Sequence, residues 1–122
     1  MSNSTSSTRD KLVATSKAAA TDWFAANISA SPGQRPGEAL KHTIMFVSDA
    51  STVVNIHYDI DGTTDIVMGL NAGVAILANS LHIEDILIPL DTSGGTTSWN
   101  IQHASGTNTV TCFVFETATA MV

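Results

Sequence analysis

The 122-residue chain predicts a mainly β fold, an antiparallel two-sheet β-sandwich of jelly-roll type preceded by an N-terminal arm containing a short helix. Three observations carry this. From position 42 onward short apolar runs alternate with turn residues, as in antiparallel sandwiches. Within those runs apolar and polar residues alternate with the period of two that buries one face of a strand. Finally, only 13% of residues are charged while 43% are hydrophobic, and Ser and Thr fill 29 positions. Disordered chains, coiled coils and helical bundles are charge-rich, so this composition argues against all three.

The elements follow in order. Residues 1–8 are nearly all Ser, Thr and Asn, with little to bury. Over 9–27 a helix is expected, because Leu12, Ala19, Trp23 and Ala26 recur at helix-like intervals and the alanines are strong helix formers. Asp10 is positioned to cap its start, and Ser31-Pro32-Gly33 with Arg35-Pro36-Gly37 stops it. Residues 28–38 read as a linker, which divides the chain into an arm at 1–37 and a sandwich at 38–122.

Strands are expected at 42–48, 52–60, 65–70, 74–78, 81–90, 97–103 and 109–116. Alternation is clearest where Val54, Ile56, Tyr58 and Ile60 oppose Asn55, His57 and Asp59, and where Trp99, Ile101 and His103 oppose Ser98, Asn100 and Gln102. Asp61-Gly62, Asn71-Ala72-Gly73, Ser93-Gly94-Gly95 and Ser105-Gly106 supply the glycine that reversals need, and Pro89 falls near a strand end.

Charge divides the chain in the same place. Arg9, Lys11, Lys17, Arg35 and Lys41 are its five cations, leaving a net charge of +2 over residues 1–41 and −8 beyond, −6 in all. Nucleic-acid binding needs Lys and Arg to displace condensed counterions, so a body without cations is not expected to bind nucleic acid. The asymmetry is either chance in a charge-poor chain or a basic arm that reaches a partner while an acidic body faces solvent. No apolar run approaches a membrane span and the polar start has no hydrophobic segment behind it, so neither membrane association nor a secretion signal is expected.

Site chemistry is sparse. Asp59, Asp61 and Asp65 suggest a cation loop, but Gly62 is fourth and Leu70 twelfth from Asp59, which is not the EF-hand pattern; a plain hairpin fits better. Glu84 and Asp85 are neighbours on a strand, point to opposite faces and cannot act as an acid–base pair. His42, His57, His82 and His103 are widely spaced, unlike zinc motifs. Cys112 alternates with Val110 and Val114 as a small core hydrophobe. Trp23-Phe24 either anchors the helix on the sandwich or inserts into a partner. No catalytic residue, metal or cofactor is expected.

Residues 53–90, with YDIDGTTDIVMGLNAGVAILANSLHIEDILIPL, followed by the Gly-rich turn and the closing strands, resemble small virion proteins of tailed bacteriophages. In these an Asp-Gly hairpin leads to a Leu-Asn-x-Gly turn, an Ala-rich apolar strand, an Ala-Asn step and a longer strand. The resemblance is to capsid decoration (cement) proteins and related head or tail proteins, and covers about the last 80 residues; the arm departs from it. It implies a non-enzymatic protein on the outer surface of the phage head that binds the major capsid protein as a homo-oligomer, a trimer being favoured. Arg9, Lys11, Lys17, Trp23, Phe24 and Arg35 are then the expected capsid-binding residues. A tail-fibre or receptor-binding domain that recognises a host glycan is the alternative. A secreted carbohydrate-binding module ranks third, weakened by the missing signal peptide.

Overall fold

In the computed structural model, residues 4–29, 39–59, 65–87 and 97–119 are described. They form β1 (Ser4–Ala18), β2 (Ile28–Ser29), β3 (Ala39–Ser48), β4 (Val54–Asp59), β5 (Asp65–Gly69), a 3₁₀ turn (Leu70–Gly73), β6 (His82–Leu87), β7 (Ser98–His103) and β8 (Thr107–Thr119). Two four-stranded antiparallel sheets result, in the orders β1-β8-β3-β6 and β2-β7-β4-β5. The pairs are nested, β1 with β8, β2 with β7, β3 with β6 and β4 with β5, alternating between the sheets. A long hairpin rolled over itself in this way is an eight-stranded jelly roll, the sandwich expected from the alternation.

The expected N-terminal helix is not formed. Residues 9–18 belong to β1, whose pairing with β8 runs from Ser4–Thr119 to Ala18–Thr107, residues 19–27 form no regular element, and β2 follows directly, so the N-terminal segment gives one strand to each sheet. Alanine propensity amounts to under 1 kcal/mol per residue, and tertiary pairing overrides it. Ala14 and Ala20 have φ of 43° and 57°, left-handed conformations that no right-handed helix contains. Segment 74–78 is not a strand either; Ile76 makes a single bridge to Thr52. The Asp61-Gly62 and Ser93-Gly94-Gly95 turns, Pro89, Arg35 and most of the 28–38 linker lie outside the described residues.

Inward-facing residues of both sheets build the core: Ile44 and Phe46 of β3, Val110, Cys112 and Val114 of β8, Ile86 of β6, Val54 and Ile56 of β4, and Trp99 and Ile101 of β7. Tyr58 packs against it half-buried. Trp23, Phe24 and Ile28 complete it from the N-terminal side, with the Trp23 ring edge-on to Phe46 at 5.4 Å.

Two buried histidines each carry an indole partner. Trp99 Nε1–H donates to His42 Nδ1 at 2.9 Å, and Trp23 Nε1–H donates to His103 Nδ1 at 3.1 Å. An indole N–H only donates, so both rings carry their proton on Nε2. From there His42 donates to Glu116 at 2.8 Å and His103 to the Gly106 carbonyl at 3.0 Å. Every ring nitrogen is thus satisfied, which burial of these groups requires.

Candidate assembly surface

The residues expected to bind a partner are dispersed. Trp23 and Phe24 are core residues of their own sandwich and are not free to insert elsewhere. Arg9 lies at the β1–β2 end, its guanidinium 3.4 Å from the Ser29 carbonyl and 3.9 Å from the Glu116 carboxylate, so it joins the two sheets. Lys11 is exposed on the outward face of β1 opposite Phe113, and Lys17 is half-buried near the end of β1 opposite Asn108.

The titratable groups are structural in character. Asp65 pairs with His57 at 3.1 Å across the β4–β5 ladder. Glu84 accepts from the Asn71 backbone N–H and pairs with His82, both at 2.8 Å, while Asp85 on the other face accepts from the Thr43 hydroxyl at 2.7 Å and lies 3.5 Å from Lys41. The four histidines are held separately, and among the described residues no three His, Cys, Asp or Glu side chains gather as a metal site would require. Burial pushes the Cys112 thiol up to about 12, the state of an inert core thiol. Burial also holds His42 below its ordinary 6.5, against the opposing pull of Glu116.

The surface carries the stronger signal. Nine large hydrophobic side chains stand exposed among the described residues, and eight fall between positions 66 and 87: Ile66, Val67, Met68, Val74, Leu77, Leu81, Ile83 and Leu87. They follow β5, the connection after it, and β6. These strands are the terminal strands of the two sheets on the same side of the sandwich, joined where the Asn71 N–H meets Glu84. The patch continues onto the outward face of the β1-β8-β3-β6 sheet, where Lys11, Phe113, Met45 and Ile83 form one row across four strands. Two strands meant only for solvent would not look like this, because monomers rarely expose contiguous apolar patches beyond a few hundred Å².

This surface was missed in the sequence, where segments 65–70, 74–78 and 81–90 read as ordinary strands. The available signal was the uninterrupted Ile66-Val67-Met68 triplet. Consecutive apolar residues in a strand ask for cover on both faces, and an edge strand finds that cover only in a partner.

Neither a protein-family model nor a curated protein matches the chain. Among solved structures it is similar to a chain in the structure of infectious bursal disease virus, Gx strain, with a TM-score of 0.59 and 13% identity. The match covers 98% of this chain and 32% of that one, so this chain spans about a third of its length. At that identity the likeness is one of fold alone.

Proposed function

We propose that this protein is a structural component of a virion, specifically a decoration protein that binds the outside of an assembled phage head through its major capsid protein. The observation that carries this is the large apolar surface on one side and one face of a jelly roll, a surface built for subunit contact. The fold's likeness to a chain of a virus structure supports the virion reading, and the sequence resemblance supports the phage-head assignment. In this account the protein acts by burial: covering the row from Phe113 through Met45 to Ile83 stabilises the shell, and no bond is made or broken. Lys11, beside Phe113, faces an acidic patch of the capsid subunit, and the acidic remainder of the body faces outward.

Cosedimentation with purified shells tests it. Wild type is expected to saturate the shells, and Lys11→Glu to weaken binding and reduce its salt sensitivity, since a rim charge governs both. Failure of wild type to sediment with shells, together with binding to host-surface glycans, would assign the protein to a fibre instead.

A further inference from the structure

We propose that the apolar side formed by β5, residues 74–81 and β6 is covered by the opposite side of a second copy, the side formed by β1 and β2, in a head-to-tail contact. The inference deepens the structural reading above by naming a lateral partner.

The first argument is the amount of surface. Eight large hydrophobic side chains, with Leu77, Leu81 and Leu87 exposed by 68%, 61% and 72%, lie along one side of a small sandwich. Monomers rarely leave so many large hydrophobic side chains exposed together.

The second is how the two sides are protected. Free sheet edges are normally blunted by lysines, prolines or bulges. β1 carries Lys11, Lys17 and two register shifts, at Thr8/Asp10 and Leu12/Thr15. β5 and β6 contain no lysine or proline and pair without a register shift; their charged residues are carboxylates alone, so a cation-bearing side of another chain is suited to cover them.

The third is charge. Asp65, Glu84 and Asp85 lie on β5 and β6, with Lys41 beside Asp85 as their one neighbouring Lys or Arg among the described residues, whereas Arg9 and Lys17 lie on β1 at the far side of the same sheets. A two-fold contact of the apolar side with itself would set the carboxylates of each copy against their like. Contact with the β1–β2 side sets them against cations, so opposite sides of the molecule are complementary where like sides are not.

The fourth is shape. The ninth exposed hydrophobic residue, Val13, is on β1. It sits in the Leu12/Thr15 irregularity, where Ala14 adopts φ 43° and its N–H is held by the Thr111 hydroxyl at 3.0 Å. This raises an apolar knob on the basic side that matches the apolar strip on the acidic side.

A heterologous contact of this kind closes into a ring or continues as a chain, and a second copy is required on each side of every subunit. Full-length protein without shells separates this inference from capsid binding. Size-exclusion chromatography with light scattering is expected to show wild type above its 12.8 kDa monomer mass. Leu77→Asp/Leu81→Asp and Val13→Asp/Lys17→Glu are each expected to be monomeric, with unchanged circular dichroism and thermal midpoint. An equimolar mixture of the two is expected to form a 1:1 dimer, because each supplies the intact side the other lacks. If the loop variant loses its fold, Val74→Asp replaces it in the same mixture. A monomeric wild type overturns the inference; so does a Val13→Asp/Lys17→Glu variant that associates on its own, the result a two-fold contact of the apolar side would give, and so does a mixture that stays monomeric while wild type associates.

Discussion

Replacing Trp99 with Phe keeps a ring in the core but removes the N–H that fixes His42. The His42 Nδ1 lone pair is then buried without its 2.9 Å donor, while Nε2 still faces Glu116. A buried acceptor left unpaired costs about 1–3 kcal/mol. The lost part of the indole leaves a void at a position with no solvent exposure, which adds about 1–2 kcal/mol. Trp99→Phe is therefore expected to lose about 3 kcal/mol at neutral pH, or roughly 12 °C of Tm at about 2.1 cal/mol/K of unfolding entropy per residue.

The pH dependence distinguishes this mechanism from simple loss of packing. Burial lowers the His42 pKa in the folded protein. The unfolded chain therefore takes up a proton as the pH falls below about 6.5 that the folded chain refuses, and folding stability declines through that window until the depressed folded value is reached. Without the indole donor, Nδ1 is free to accept that proton beside Glu116, so the variant declines less. Guanidinium unfolding at about pH 7.5 and about pH 5 should show the gap between wild type and Trp99→Phe narrowing in acid. A gap of the same size at both values would refute the tautomer argument.

Two further outcomes follow from the core. Trp23→Ala is expected to cost about 3–5 kcal/mol in the isolated protein, measured by denaturant unfolding, because the ring packs on Phe46 and donates to His103; an unchanged midpoint would restore Trp23 to a partner-binding role. Cys112 is expected to resist a thiol reagent in the native protein near pH 8 and to react on unfolding, as a buried thiol pushed up to about 12 must. Labelling of the folded protein would contradict its place in the core.

Much of the sandwich was legible because its central strands bury one face only. Val54 and Ile56, Trp99 and Ile101, and Val110, Cys112 and Val114 all alternate in the sequence and all point inward in the fold. β1 was not legible, since its register is set by β8 nearly a hundred positions away while the alanines at its end and just beyond it favour helix locally. Trp23 lies on no regular element, yet it closes the core through a contact with His103 that no local pattern encodes. The apolar side was hidden for a related reason: Leu77, Leu81 and Leu87 look like core residues in sequence, and only the strand order reveals that none of the described strands covers them.

Electron cryomicroscopy of shells assembled from the cognate major capsid protein and incubated with this protein tests the central claim most directly. The account predicts added density on the outer surface, fitted by the jelly roll with the Phe113–Met45–Ile83 row toward the shell and residues 66–87 covered. Bare shells, or jelly-roll density that leaves both the row and residues 66–87 facing solvent, would contradict it.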